Sequence, residues 1–241
     1  MNKNILYECL KIKSQDFHPI VQFNPDKEKL IHFDFTESNE TLNEINLSDI
    51  DSFCKYINNQ LQNANAKFGI GGYNELRTLY SRSSLFDNDI DNNCSEVEEP
   101  RRLHLGVDIW GKEKTEIFAP LDGFIHSFSF NNNFGDYGAT IIIAHQLEAV
   151  RFFTLYGHLS CIDLQKIHVG DIINCGQQFA HFGNPGENGN WPPHLHFQVI
   201  LDIENYKGDY PGVCKFSERE KYLRNCPDPD LILNIARYTI G

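Results

Sequence analysis

Five polar side chains in three short segments have the types and the spacing of a hydrolytic metal site. They are His104 and Asp108 in the segment HLGVD, His158 in YGHL, and His194 and His196 in HLH. Side chains two or four positions apart on a β-strand point to the same face of the sheet. His194 and His196 therefore share a face, and His104 and Asp108 do the same where their segment is extended.

This set of side chains is suited to zinc chemistry. Two imidazoles and one carboxylate can hold Zn²⁺ and leave a fourth position for water, which is typical of catalytic zinc sites. The metal would lower the pKa of that water toward about 7 and polarise a carbonyl group, and a remaining imidazole would transfer protons. The pattern predicts a zinc hydrolase.

The three segments are similar, in residue type and in order, to the motifs of the lysostaphin and LytM type of zinc metallopeptidase: HxxxD, a further histidine, and HxH. The resemblance extends over residues 100–202. It implies that His104, Asp108 and His196 bind Zn²⁺ as the cofactor. It also implies that His158 and His194 act as catalytic histidines and that the substrate is a peptide or a peptidoglycan-like peptide.

The approach to HxH departs from that family. The family commonly has small residues there, whereas this chain has the sequence NWPP at residues 190–193. Two prolines stiffen the approach, and Trp191 would narrow the substrate groove or give the substrate an apolar platform. The tail from Tyr206 resembles peptidase-like domains joined to aminotransferase domains. This second likeness points to cytoplasmic metabolism or peptide processing.

Short strands must position these residues. The alternation of apolar residues and the turn-forming segments between them predict strands from residue 115 onward, at 115–119, 124–130, 139–145, 152–158, 178–182 and 194–201. We expect an α+β, mainly β fold with an antiparallel sheet or small barrel-like metallopeptidase core. His145, at the end of the third of these strands, is the remaining histidine most suited to support a metal ligand.

The predicted organisation has three parts: a mixed α/β N-terminal region (1–99), the metallopeptidase core (100–205) and a C-terminal extension packing on the core (206–241). In the first part, Ser48 is expected to cap a helix whose apolar stripe packs inward. The stripe comprises Ile50, Phe53, Cys54, Ile57 and Leu61. The glycines at 69, 71 and 72 are expected to form a turn, and the acidic stretch 87–99 a solvated loop.

Four residues before the core could influence the metal cleft. Asn74 or Glu75 has the chemistry to occupy the open position of the metal, as an upstream side chain does in some latent members of the family. Tyr80 and Arg82 could shape the substrate groove or serve only in packing and a salt bridge. None of the four is included in the predicted catalytic set.

Composition restricts the partners. The formal net charge of −12 would repel nucleic-acid backbones and anionic membrane surfaces, and no run approaches the ~18 apolar residues of a membrane span. Seven cysteines without regular spacing and an N-terminus without a signal-like apolar core predict a cytoplasmic protein. The expected partner is a peptide or peptide-like substrate, with no nucleic acid and no membrane.

A noncatalytic zinc- or peptide-binding module on a peptidase-like fold is the alternative interpretation. Its usual mark is the loss of a ligand or a catalytic histidine, and all five residues are present here. We therefore predict a zinc metalloendopeptidase-like hydrolase. The natural substrate, the preference for internal or terminal bonds and the oligomeric state are not predicted by the sequence.

Overall fold

The computed structural model describes residues 3–87 and 99–240. Its α-helices are α1 (Lys3–Ile12), α2 (Ile50–Asn63), α3 (Cys161–Leu164), α4 (Arg219–Asn225) and α5 (Asp230–Leu233). The strands before residue 120 are β1 (Leu30–Phe33), β2 (Phe68–Gly71), β3 (Leu103–His104), β4 (Val107–Trp110) and β5 (Glu116–Phe118). The later strands are β6 (Gly123–Asn131), β7 (Gly138–Leu147), β8 (Val150–Leu159), β9 (Ile172–Ile173), β10 (Gln178–His181), β11 (His194–Ile200), β12 (Val213–Cys214) and β13 (Thr239–Ile240).

An open nine-stranded sheet organises the fold, in the order β13-β1-β2-β4-β11-β8-β7-β6-β9. The strands from β2 to β9 pair antiparallel, whereas β13, β1 and β2 are parallel to one another. The mainly β fold and its antiparallel core are confirmed, and the sheet is mixed and open instead of closing into a barrel. Two short antiparallel pairs, β10-β5 and β12-β3, accompany it.

The predicted strands of the core are confirmed, with ends that differ by a few residues at most. The central strands β7, β8 and β11 are almost wholly buried. Both faces of the sheet are covered here, so the apolar run at 141–144 of β7 is buried along its whole length. The division of the chain at residues 99/100 and 205/206 stays a prediction. The sheet takes strands from all three parts, since β1 and β2 precede residue 100 and β13 follows residue 205.

Helix α2 packs its predicted stripe against the sheet, but its cap is one residue later than expected. Phe53, Ile57 and Leu61 are buried. The N-cap is Asp49, not Ser48, and its carboxylate accepts a hydrogen bond from Ser52 N at 3.1 Å. Asp and Ser are comparably good caps, so sequence alone could not choose between adjacent candidates.

Gly69 and Gly71 belong to strand β2 and not to the predicted turn, which forms directly after Gly72 at Tyr73 and Asn74. A Cβ at Gly69 would lie 2.0 Å from Phe33 Cε2, and one at Gly71 would lie 2.7 Å from Arg77 Nη2. Glycine within a strand often marks the close approach of another group, and here those groups are an aromatic ring and a guanidinium. The predicted acidic loop, apart from its end residues, lies outside the described residues.

Within residues 3–87 and 99–240, no helix combines the length and the apolar character needed to cross a membrane. The six cysteines of these ranges are thiols that form no disulfide with one another, as their irregular spacing in the sequence predicts.

His145 is a buried histidine outside the candidate site. Its Nδ1 donates to the carbonyl of Asp122 at 2.8 Å and its Nε2 lies 2.7 Å from Thr154 Oγ1. Asp122 directly precedes β6 and Thr154 lies in β8. Neither residue is a proposed metal ligand, so these contacts do not support the role expected for His145. Burial lowers the pKa of His145 from 6.5 to about 4.

This shift predicts loss of stability in acid. Between pH 6.5 and 4 the unfolded chain binds a proton at residue 145 that the folded chain does not, so stability falls as the pH drops through this range. When the pH is lowered from 7.5 to 5, the unfolding free energy of the native chain should fall by about 2 kcal/mol more than that of His145→Gln. Urea unfolding of both proteins at the two pH values measures this difference. His168→Gln is the control, because 85% of that side chain is exposed. Equal losses in the native chain and His145→Gln would contradict the assignment.

Candidate active site

Strand register brings the HxH segment against the aspartate of HxxxD. In the antiparallel pair β4-β11, His196 lies opposite Asp108 and His194 lies opposite Trp110. Residues directly opposite in such a pair point to the same face, so these four side chains share one face of the sheet. The intervening Leu195 belongs to the hydrophobic core on the other face. The alternation predicted from the sequence is therefore present.

His104 reaches the same place from the short strand β3. Its backbone NH donates to Glu75 O and its carbonyl accepts from Asn74 N, both at 2.9 Å. On its other side it pairs with Val213 of β12. The segment that precedes the core and the segment that follows it therefore both hold this residue in place.

Three side-chain atoms converge in the buried interior. His104 Nε2 lies 2.9 Å from His196 Nδ1 and 3.3 Å from Asp108 Oδ1, and His196 Nδ1 lies 3.0 Å from the same oxygen. Within the described part of the chain, they form the one group of three or more His, Cys, Asp or Glu ligand atoms close enough to hold a metal ion. All three residues are at most 3% exposed.

In His104 and His196, the ring nitrogen that points away from the three converging atoms lies beside a hydrogen-bond acceptor. His104 Nδ1 lies 2.8 Å from Gly72 O, and His196 Nε2 lies 3.0 Å from Gln198 Oε1. The Gln198 amide is oriented in turn, because its Nε2 donates to Pro211 O at 3.1 Å. A carbonyl oxygen only accepts, so each outward nitrogen bears the proton and the inward nitrogen presents a lone pair.

This arrangement fits a divalent cation. Three acceptor atoms face one another with no proton among them, which is repulsive unless a positive charge lies between them. Ligands at the usual zinc distances of about 2.0–2.1 Å would be about 3.3 Å apart in a tetrahedron, close to the 2.9–3.3 Å found here. The donor set of two nitrogens and one carboxylate oxygen is also one that zinc accepts.

His158 arrives at the site through an irregularity in β8. Its φ is +64°, in the left-handed region that non-glycine residues rarely adopt. The register of β7-β8 shifts at this point, with Ala139 opposite Leu159 and Ile141 opposite Tyr156. The three-residue interval from Tyr156 to Leu159 on β8 therefore lies opposite the two-residue interval from Ala139 to Ile141 on β7. One extra residue on one strand of a pair is a β-bulge. Regular alternation would turn His158 toward the side of Tyr156 in the core, and the bulge redirects it to the site.

His158 and His194 form a second pair beside the three converging atoms. Their ring centroids are 4.1 Å apart, and Trp110 stacks on His194 at 3.8 Å. His158 Nδ1 donates to Asn188 O at 2.9 Å and His194 Nδ1 donates to Pro192 O at 2.8 Å. Both rings therefore present an unprotonated Nε2.

Burial keeps these imidazoles neutral. It lowers the pKa of His104 and of His194 to about 4, and the pKa of His158 falls well below its ordinary range through burial and the neighbouring His194. Burial alone would raise the pKa of Asp108, but opposite charge beside it, above all the Arg77 guanidinium, outweighs burial and holds that pKa well below its ordinary value. Neutral imidazoles and an ionised carboxylate are the forms that bind metals.

A cavity of about 320 Å³ opens onto these residues. Its wall includes Trp191, which is 3% exposed. Residues outside the core segment complete it. The N-terminal region contributes Leu79, Tyr80, Leu85 and Phe86, and the C-terminal extension contributes Asp209, Tyr210, Pro211, Gly212 and Val213. The N-terminal region and the C-terminal extension therefore both contribute to the wall of the cavity.

The four residues upstream of the core that could influence the cleft have different contacts. Asn74 Oδ1 accepts from Arg219 Nε at 2.9 Å, and Glu75 Oε2 accepts from Arg77 Nε at 2.6 Å. Their contacts do not support the occlusion hypothesis. Tyr80 does line the cavity. Arg82 donates to Asn190 O at 2.9 Å and packs over Trp191.

Sequence reasoning missed three residues of this region: Arg77, Trp110 and Gln198. Trp110 and Gln198 each follow a singled-out residue by two positions on the same strand, so extending the alternation along β4 and β11 would have found them. Arg77 lies 31 residues from its partner Asp108 in a segment without periodicity. No local signal identifies it.

Comparison with known proteins relates part of the chain to a family of peptidases. Residues 102–207 match the model described as Peptidase family M23. Among curated proteins, the chain is 28% identical over 132 residues to the DD-carboxypeptidase/endopeptidase Mpg of Neisseria meningitidis serogroup B, covering 55% of this chain and 27% of that protein. It is 29% identical over 101 residues to an uncharacterized metalloprotease of Haemophilus influenzae, covering 42% and 19%. The match thus spans only about a quarter or less of either relative.

Solved structures with a similar fold include Helicobacter pylori Csd3 and the catalytic domain of lysostaphin from Staphylococcus simulans. Csd3 is 26% identical with a TM-score of 0.34, covering 52% of this chain and 32% of that one. The lysostaphin domain is 21% identical with a TM-score of 0.34, covering 50% and 80%.

Proposed function

Residues 102–207 form a peptidase family M23 domain, and from that premise we propose that this protein is a zinc-dependent metallopeptidase that hydrolyses an amide bond in a short peptide or a peptidoglycan-like peptide. The observation that supports it most is the convergence of His104 Nε2, Asp108 Oδ1 and His196 Nδ1 within 3.3 Å of one another. We assign these three residues as the zinc ligands.

Zinc, when bound, supplies Lewis acidity that activates water and polarises the carbonyl group to be cleaved. The protein supplies the proton transfers. His158 and His194 each have an unprotonated Nε2 beside the ligands, because their Nδ1 protons are held by main-chain carbonyls. A neutral imidazole can accept a proton from the attacking water and return it to the departing nitrogen.

The shape of the cavity favours a small substrate. A volume of about 320 Å³ is at the lower end of ordinary small-molecule sites, which suits a short segment of peptide better than a long one. Trp191 and Tyr80 offer apolar and aromatic surface, while Asp108 and the histidines are polar. We therefore propose a short peptide or peptide-like amide instead of a polymer threaded through an open groove.

Cleavage profiling tests this function directly. The zinc-loaded chain is incubated with a mixed panel of short peptides and muropeptides, and the products are identified by mass spectrometry. We expect fragments whose summed masses exceed one substrate by one water, formed only when zinc is present. The panel includes internal and C-terminal bonds, because the name of the relative Mpg includes both carboxypeptidase and endopeptidase.

A chelator-treated sample of the same protein is the control. Cleavage that survives removal of zinc would contradict the metal-dependent mechanism. No turnover across the panel while zinc remains bound would favour the noncatalytic binding module.

A further inference from the structure

Arg77 is a buried cation beside the candidate metal site, and it comes from outside the family domain. It is 1% exposed and follows strand β2, ahead of the matched residues 102–207. A buried guanidinium is costly unless its donors are paired. Arg77 meets this condition through four acceptors, each of which belongs to or touches the site.

Two of these acceptors are carboxylates. Arg77 Nη1 donates to Asp108 Oδ2 at 2.5 Å, and Arg77 Nε donates to Glu75 Oε2 at 2.6 Å. Asp108 thus divides its oxygens: Oδ1 faces His104 and His196, and Oδ2 faces the guanidinium. A hydrogen bond from a guanidinium to Oδ2 occupies one of its lone pairs and draws it away from the metal, which favours binding through Oδ1 alone.

The remaining donors connect Arg77 with a second proposed ligand. Arg77 Nη2 donates to Gly72 O at 3.2 Å, and the same carbonyl accepts the Nδ1 proton of His104 at 2.8 Å. Nη1 also lies 3.3 Å from Tyr80 OH. One rigid guanidinium therefore contacts one ligand directly and fixes the carbonyl that orients another.

Strand β2 leaves room for this arrangement. A Cβ at Gly71 would lie 2.7 Å from Arg77 Nη2 and 3.2 Å from Trp110 Nε1. Any larger residue at position 71 would push the guanidinium away from Gly72 O and Asp108. The N-terminal region is thus shaped around Arg77 at the point where it meets the site.

We propose that Arg77 is a positioning residue of the metal site: its planar fork holds Asp108 as a one-oxygen ligand and aligns it with His104 through the shared Gly72 carbonyl. This inference rests on the proposed zinc-dependent function. It means that the site extends beyond the family domain, because an arginine of the N-terminal region completes it. The planar fork is essential, since a lysine ammonium cannot satisfy these acceptors in one plane.

Arg77→Met in the whole chain tests the proposal by two measurements. The first is the Kd for Zn²⁺ by chelator competition, which we expect to rise about 10–100-fold, the usual cost of losing a partner that orients a ligand. Removal of a positive charge near a cation would by itself tighten binding, so weakening isolates the positioning effect. The second is the visible spectrum of the Co²⁺-substituted protein, since Zn²⁺ has a filled d shell and no such bands. With Oδ2 released to the metal, the bands should weaken as coordination increases from four to five.

Arg82→Met is the matched control. Arg82 is another mostly buried arginine, 9% exposed, but its guanidinium is directed at Asn190 O and Trp191. This variant should keep the native Kd and the native Co²⁺ spectrum. The proposal is overturned if Arg77→Met has a Kd or a Co²⁺ spectrum indistinguishable from that of Arg82→Met.

Arg77→Lys provides a second test if the methionine variant does not fold. It keeps a positive charge between the two carboxylates and loses the fork. We expect zinc binding several-fold weaker than in the native chain, and a native Kd would overturn the proposal. Failure of the proposed function would look different, because the native chain itself would then show no tight zinc binding or no turnover.

Discussion

Replacement of His196 by alanine should remove tightly bound zinc from the protein. His196 Nδ1 is one of three converging ligand atoms, and its lone pair is directed inward because Nε2 donates to Gln198. The loss of one of three protein ligands should weaken binding by more than about 100-fold, the upper end of the cost of losing an outer hydrogen-bond partner. Metal analysis after dialysis against a weak chelator measures this directly.

His168→Ala is the control for this experiment, because its side chain is 85% exposed and remote from the ligands in sequence. It should retain one zinc ion per chain. Thermal unfolding of the metal-free forms shows whether His196→Ala keeps its fold. Stoichiometric zinc in a folded His196→Ala protein would refute the ligand assignment.

Replacement of His194 by alanine should leave the bound zinc in place and remove most of the turnover. His194 is outside the group of three ligand atoms, although it shares their face of the sheet. General acid–base catalysis by one imidazole typically contributes about 10²–10⁴-fold. We expect kcat/KM to fall within this range on the peptide that the native chain cleaves best, while the zinc content is unchanged.

His126→Ala is a suitable comparison for this variant, because His126 is a partly buried histidine that packs against Phe153. Its activity should stay close to native, because His126 is not among the residues that line the cavity. A His194→Ala enzyme that keeps native turnover would remove His194 from the catalytic pair. Loss of zinc in that variant would instead make it a ligand.

The alternation of side chains between the two faces of a strand made much of the core and of the site predictable from the sequence. His194 and His196 share a face because they are two apart, and the neighbouring core strands were identified from apolar runs between turn-forming segments. The choice of Asp108 as partner of His196 came from a family resemblance. The register of β4-β11 agrees with it by putting the two residues directly opposite.

Features that depend on distant contacts were not predictable. The bulge that redirects His158 reflects a mismatch between two strands, and a single strand contains no sign of it. The glycines of β2 resemble turn residues because glycine is common in turns, whereas their role here is to leave room for Phe33 and Arg77. Arg77 itself pairs with Asp108 across 31 positions, a distance at which sequence patterns give no information without related sequences.

Three of the four site imidazoles donate their outer proton to the main chain, at Gly72, Asn188 and Pro192. A main-chain carbonyl is present whatever the side chain, so no single amino-acid replacement deletes these acceptors. Substitutions at residues 72, 188 and 192 should therefore leave the tautomers of His104, His158 and His194 unchanged, as long as the backbone of these loops keeps its conformation. His196 is the exception, since its acceptor is the side chain of Gln198, and this is where a point mutation could reverse a tautomer without touching a histidine.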